Sequence, residues 1–193
     1  VNITNQFTFL FLVTVGTFAE TGGMFMSQFN GAKDASGMRQ VYRFKQIMML
    51  ACAVLFTLFS FFFSGYVLGF LVHGNQQAPE IVAEGQRYLH IILLTFIPIA
   101  FSTAITSSLR DIGKVKIIMY SAVFSTLLNT AGNYILIYGN FGAPRLEVIG
   151  AAYATLIARC AEVVLLLIYV YLKKPAFYVR IVSLWKVRWT LFM

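Results

Sequence analysis

The sequence predicts an all-α membrane protein, a polytopic bundle of five transmembrane helices. Of its 193 residues, 59% are hydrophobic and only 11% are charged, whereas soluble domains carry about a quarter charged residues. The apolar residues fall into five runs, each long enough to cross ~30 Å of hydrocarbon at ~1.5 Å per residue. Backbone amides in lipid must be hydrogen-bonded within their own segment, so each run is predicted to be a helix.

The five predicted spans alternate with polar connections. They run over about Gln6–Ser27, Gln46–Val72, Tyr88–Leu109, Ile117–Tyr138 and Val148–Leu172. Pro98 lies inside the third span and predicts a kink, because its ring clashes with the preceding turn and it has no backbone donor.

The basic residues are distributed unevenly between the two sides of the bundle. The connections after the first, third and fifth spans carry nearly all of them, and the other two connections carry only Arg87 and Arg145. The positive-inside rule therefore places the basic connections in the cytoplasm and residue 1 outside an inner or plasma membrane. The net charge of +8 then records topology, and no nucleic-acid partner is expected. An odd number of spans with an external start also predicts at least one helix before Val1.

Two asparagines mark a polar layer inside the fourth span. Asn129 and Asn133 are one helical turn apart and so lie on one face. At ~1.5 Å per residue, Asn129 and Thr155 both lie about 10 Å from the outer edge of their spans. Amides at this depth are costly unless they face protein, a cavity or a ligand. The layer of Asn129, Asn133 and Thr155 therefore either lines a cation or substrate site or joins helices by hydrogen bonds.

A second layer is charged. Arg159 lies near mid-depth of the fifth span, and an unpaired charge there would be expensive. We expect it to form a structural ion pair with Glu162, three residues on, or with Glu20 of the first span. A carboxyl group partly removed from water binds a proton more readily, which makes Glu20 a candidate proton carrier and part of the predicted site.

Four stretches resemble motifs of the multidrug and toxic-compound extrusion (MATE) family. In chain order they are Ser27–Asp34 with Met38–Arg39, which resembles "SQ..GAkd...a", Ser108–Lys114, similar to "RaiGdtk", Leu128–Gly139, similar to "lNivlnyiLifG", and Val148–Thr155, similar to "GvaGAAiAT". The resemblance implies helices 2 to 6 of a twelve-helix exporter built from two six-helix lobes. Residues 1–172 would then be a partial N-terminal lobe, and residues 173–193 a basic cytoplasmic or interfacial segment leading to the second lobe.

The resemblance also assigns a role to the amide layer. In Na⁺- or H⁺-linked members this layer holds a cation or proton, together with an aspartate on the first helix. The matching positions here are Asn129, Asn133 and Thr155, but Asn133 stands where those members have an aspartate. An amide offers an oxygen ligand and cannot take up a proton near neutral pH.

These observations predict a secondary active transporter and not an enzyme, since no catalytic motif is present. We expect export of organic, cationic, drug-like compounds by H⁺- or Na⁺-coupled antiport with alternating access. The expected partners are membrane lipid, the small organic substrate and the second lobe, with no cofactor beyond the coupling ion. Two alternatives are a flippase for lipid-linked oligosaccharide or peptidoglycan precursors in the same superfamily, and a membrane scaffold subunit that transports nothing.

Overall fold

The computed structural model describes residues 2–71, 78–142, 144–179 and 184 of the chain. Within these ranges, side chains are described for residues 6, 8–62 and from 86 onward. Residues 180–183 and 185–193 of the predicted basic segment (173–193) therefore lie outside the described residues.

Helices account for all the regular structure in the described ranges. They are α1 (Asn2–Gly31), α2 (Ala35–Leu71), α3 (Ala78–Leu94), α4 (Phe96–Asp111), α5 (Val115–Tyr138), a short 3-10 turn (Asn140–Gly142) and α6 (Glu147–Lys173). The predicted all-α bundle is confirmed, since a helix covers each predicted span where the structure describes it. α3 begins well before the predicted start at Tyr88, so part of the second connection is helical.

Four stretches of these helices are long and apolar enough to cross a membrane: Thr8–Gly31, Ala35–Phe62, Gln86–Asp111 and Glu147–Lys173. α5 has sufficient length, but its asparagines, serines and threonines lower its mean hydropathy. The helix predicted to carry the polar layer is thus not among these four stretches.

The third predicted span is broken at Thr95, between α3 and α4. The Thr95 amide donates to the carbonyl of Ile92 at 2.9 Å, a tighter turn than an α-helix makes. Pro98 lies three residues further on, and its ring excludes the carbonyl of the residue four positions before it, Leu94. The helix is therefore interrupted one turn before Pro98, and the kink itself stays a prediction.

The core forms where α1, α2 and α4 pack together, with α3 and α6 closing its other sides. Phe11 of α1 and Phe96 of α4 are fully buried and stack with ring centroids 4.1 Å apart. Beyond α6 the chain turns back and buries Phe177 against Tyr42 of α2, with ring centroids 5.1 Å apart. Because α5 packs mainly on α6, these two helices form a hairpin on one side of the core.

The burial pattern of α5 is the reverse of that in a soluble protein. Its buried residues are Ser121 and Ser125, while large apolar side chains such as Met119, Val123 and Leu127 point outward. An outward apolar surface with polar groups inside is the arrangement that lipid favours, because lipid cannot hydrogen-bond to polar side chains.

Small residues let α5 and α6 approach each other closely. A Cβ atom on Gly150 would lie 2.6 Å from the backbone oxygen of Leu136, and one on Gly132 would lie 3.0 Å from the Cβ atom of Ala154. The Leu146 amide also donates to the Leu136 carbonyl at 2.9 Å and closes the hairpin. Close contact through small residues is a common way to pair helices in membranes.

We expect Gly150→Ala to destabilise the hairpin by about 1–3 kcal/mol, because the added methyl group meets backbone that cannot rotate away. Gly16→Ala is the matched control, since a Cβ atom there has no neighbour within 4 Å. The control should be neutral or stabilising by up to about 1 kcal/mol, the gain expected when alanine replaces glycine in a helix. Reversible unfolding in mixed micelles measures both variants, and equal stability losses would contradict the proposed close approach.

Candidate functional site: a polar groove between α5 and α6

A groove of about 370 Å³ lies between α5 and α6. We call it the polar groove and define it by its lining residues, which are Ala122, Ser125, Thr126, Asn129, Thr155, Ala158, Arg159 and Glu162. The sequence predicted an amide layer and a charged layer at different depths. The structure joins them, because Asn129 and Thr155 line the same groove as Arg159 and Glu162, and Asn133 adjoins the groove through its hydrogen bond to Asn129.

The amide layer is a hydrogen-bonded relay. Asn133 Nδ2 donates to Asn129 Oδ1 at 3.2 Å, and Asn129 Nδ2 donates to Thr155 Oγ1 at 3.2 Å. The Thr155 hydroxyl in turn donates to the carbonyl of Ala151 at 2.9 Å. All three predicted residues therefore meet, and each one fixes the orientation of the next.

The relay ends in an acceptor that the described residues leave unsatisfied. Asn133 Oδ1 is buried and accepts no hydrogen bond from any described residue. A buried carbonyl oxygen without a donor costs about 1–3 kcal/mol. This oxygen can accept a hydrogen bond or coordinate a hard cation, so it is the chemically open position of the relay.

The charged layer is a closed ion pair. Arg159 Nη1 lies 2.9 Å from Glu162 Oε2, with the arginine side chain 43% exposed and the glutamate 9% exposed. Of the two partners expected for Arg159, the structure shows Glu162, at the i,i+3 spacing. The groove thus carries one positive and one negative charge that neutralise each other.

Glu20 does not join the polar groove. It is exposed on α1, which packs on α2 and α4, whereas the groove lies between α5 and α6. The structure thus separates this predicted site residue from the other five.

Sequence reasoning missed the serine end of the same stripe. Ser125 is buried and its hydroxyl donates to the Ala158 carbonyl of α6 at 3.3 Å. Ser121, Ser125, Asn129 and Asn133 follow one another at four-residue spacing, which places them on one helix face. This periodicity was visible in the sequence, and it shows that α5 turns a continuous polar face toward α6.

The described histidine, cysteine and acidic side chains do not form a metal-binding cluster. Within the part of the chain that the structure describes, no three His, Cys, Asp or Glu side chains come together as a metal site. The amide layer instead offers neutral oxygens, which suit an alkali cation or a hydrogen-bonding ligand.

We expect Thr155→Val to destabilise the chain by about 1 kcal/mol, because Asn129 Nδ2 loses its acceptor. Thr130→Val is the matched control: it removes the same hydroxyl from the outer face of α5, where Thr130 bonds only its own helix at Thr126. A double-mutant cycle of Thr155→Val with Asn129→Leu should give a coupling free energy of about 0.5–1.7 kcal/mol. Additive effects would contradict the hydrogen bond.

The chain was compared with curated proteins and solved structures. NorM of Rhizobium meliloti, a probable multidrug resistance protein, is 35% identical over 80 residues, which is 42% of this chain and 17% of the relative. YoeA of Bacillus subtilis, also a probable multidrug resistance protein, is 36% identical over 97 residues, covering 50% of this chain and 21% of the relative. NorM of Agrobacterium fabrum is 24% identical over 188 residues, covering 97% of this chain and 39% of the relative.

A solved structure shares the fold. The inward-facing conformation of a multidrug resistance MATE family transporter of the MOP superfamily superimposes with a TM-score of 0.74 at 22% identity. The match covers 89% of this chain and 37% of that one, so the chain spans well under half the length of these proteins. The MatE family profile matches residues 1–135, and together with the fold this shows that the chain belongs to the MatE family, the multidrug and toxic-compound extrusion family.

Proposed function

We propose that this chain is the N-terminal lobe of a cation-coupled exporter of organic compounds, and that the polar groove is its coupling-ion site. One observation carries the proposal: a fixed relay of amides and a hydroxyl ends in the free acceptor Asn133 Oδ1. A relay that served only to join helices would gain from satisfying that oxygen.

The donor set fits a hard monovalent cation. Asn133 Oδ1 is unsatisfied, Thr155 Oγ1 and Asn129 Oδ1 retain lone pairs beyond the bonds they accept, and all three are oxygens. Na⁺ prefers such ligands, and it would be transported through this site as the coupling ion. A proton is a poorer fit, because none of these three groups titrates near neutral pH.

The groove lacks the net negative charge that a tight cation site needs, since Arg159 neutralises Glu162. In the family resemblance that charge comes from an aspartate on the first helix, and we propose the same source here. Glu20 then serves separately, as an exposed carboxylate on the α1 surface that a second lobe or a first helix would cover.

The exporter proposal draws on the relatives for its substrate class. NorM and YoeA are named probable multidrug resistance proteins, which favours export of organic, drug-like compounds. A flippase for lipid-linked precursors would need several free bases to hold a pyrophosphate. The polar groove offers a single base, Arg159, which an acid already holds, and this favours the exporter over the flippase.

We further propose that the chain works in an inner or plasma membrane with residue 1 outside. The basic residues lie in the turns at 31–35 and 111–115, in the helix ends that flank these turns and at the end of α6, and we place this side in the cytoplasm. Alternating access requires a second lobe facing this one, so that the two can rock about a central substrate site.

Transport by the chain together with its second lobe tests this function. In proteoliposomes, efflux of a fluorescent organic cation should follow an imposed Na⁺ gradient and collapse when an ionophore dissipates that gradient. Gradient-independent movement of a labelled lipid would establish the flippase instead. A protein that moves neither probe would be a scaffold.

We expect Asn133→Asp to tighten Na⁺ dependence by about tenfold, equivalent to ~1.4 kcal/mol, because a full negative charge would stand beside the oxygen ligands. Asn140→Asp makes the same chemical change away from the relay, in the 3-10 turn, and should leave the half-saturating Na⁺ concentration unchanged. Equal shifts in both variants would show a general surface-charge effect and would remove Asn133 from the site.

We expect Glu20→Gln to lower efflux, because it removes the exposed carboxylate to which we assign a separate role on α1. Membrane insertion and stability should stay unchanged, because this carboxylate makes no ion pair with any other described residue. The efflux rate at several external pH values measures the effect. Wild-type efflux at every pH would remove Glu20 from the mechanism.

A further inference from the structure

A second ion pair lies away from the polar groove, where α2 meets the end of α4. Lys45 Nζ is 3.1 Å from Asp111 Oδ2, and the side chains are 0% and 13% exposed. The two residues are 66 positions apart in the chain. The pair therefore fixes two helices against each other at the end of the bundle that carries the basic turns.

A third helix takes part through two glycines. A Cβ atom on Gly22 of α1 would lie 2.4 Å from Lys45 Cγ, and one on Gly23 would lie 3.0 Å from Asp111 Oδ1. The aliphatic stem of the lysine therefore crosses α1 at Gly22, and the carboxylate rests against Gly23. We call these four residues the charge clamp.

The turn after α4 holds the acidic half of the clamp in place. Gly113 adopts a φ of 76°, and the amides of Gly113 and Lys114 donate to the carbonyls of Arg110 and Leu109. These bonds are those of a glycine C-cap, which gives the last helical residues a fixed orientation. Asp111 thus meets Lys45 from a rigid helix end.

A buried ion pair contributes little net stability, because removing both charges from water offsets most of their attraction. Apolar residues of similar size would hold the three helices together as well or better. What the pair adds is directionality, since a charge pair is satisfied in one register only. Gly22 supports this, because its missing side chain leaves room for the Lys45 stem at one position of α1.

We propose that the charge clamp is a positioning device that keeps the inner halves of α1, α2 and α4 in one register, so that they move as a single body during transport. The α5–α6 hairpin, which holds the polar groove, lies outside the clamp. Only the transport part of this inference rests on the proposed function. The register of the helices is a property of the chain itself.

Neutralising one or both partners separates stability from positioning. Lys45→Met leaves Asp111 buried and unpaired, and we expect its Tm to fall by about 5 °C or more. The double variant Lys45→Met/Asp111→Leu should recover the wild-type Tm, because both charges are gone. If the double variant recovers the wild-type Tm but not the wild-type register of α1, α2 and α4, the ion pair has a positioning role.

Register is read from distances between spin labels at Gln28 and Lys114, both exposed, in a Cys160→Ser background. We expect a distance distribution about twofold broader in the double variant, since apolar contacts permit sliding. Neutralising the exposed Arg145–Glu147 pair at the other end, 70% and 67% exposed, is the control and should leave the width unchanged. An unchanged width in the clamp double variant would overturn the proposal.

The contact between Gly22 and the Lys45 stem has its own test. Gly22→Ala should broaden the same distribution, because the new methyl group displaces the Lys45 stem, while Gly16→Ala on the same helix should not. In the complete transporter the double variant should lose turnover several-fold with its substrate KM unchanged. If the wild type does not transport at all, the proposed function fails and the distance measurements still decide the clamp; wild-type turnover in the double variant would refute coupled movement.

Discussion

The close approach of α5 and α6 determines what the rest of the site can be. Gly150 and Gly132 allow backbone contact across the hairpin, and only at that spacing can the short amide of Asn129 reach the Thr155 hydroxyl. A larger residue at either glycine would separate the helices and break the hydrogen bond between Asn129 and Thr155. The hydrogen bond that links the relay across the two helices therefore depends on glycine, and not a larger residue, at positions 132 and 150.

The sequence contained much of this arrangement. Hydropathy predicted every long helix, Pro98 predicted the break in the third span, and four-residue spacing placed Asn129 and Asn133 on one face. Counting residues from the outer ends of the fourth and fifth spans predicted that Thr155 and Asn129 lie at similar depth, because the rise per residue is the same in both helices. These inferences succeeded because they use only periodicity, length and the cost of polar groups in lipid.

Other features required the packing of helices distant in sequence. Nothing in the chain's periodicity indicates that Lys45 and Asp111 meet, since each reads as one more charge in a basic connection. Likewise, Glu20 was an expected alternative partner of Arg159, yet the position of a residue along its own helix carries no information on which helices are neighbours. The packing of side chains decides how each helix is rotated and which helices it contacts. The hydropathy pattern of a single helix does not contain this information.

The charge clamp also changes how the basic residues of this chain are to be interpreted. The positive-inside argument counts Lys45 with its neighbours, but Lys45 is fully buried and neutralised by Asp111. Such a lysine presents no charge to a lipid surface, so the predicted orientation rests on exposed bases such as Lys33, Arg39 and Lys174. The asymmetry between the two sides persists without Lys45, because the opposite connections carry only Arg87 and Arg145. The basic residues between the first two predicted spans therefore divide by burial: the exposed ones are available to orient the chain, and the buried Lys45 is the one to which we assign a role in helix register.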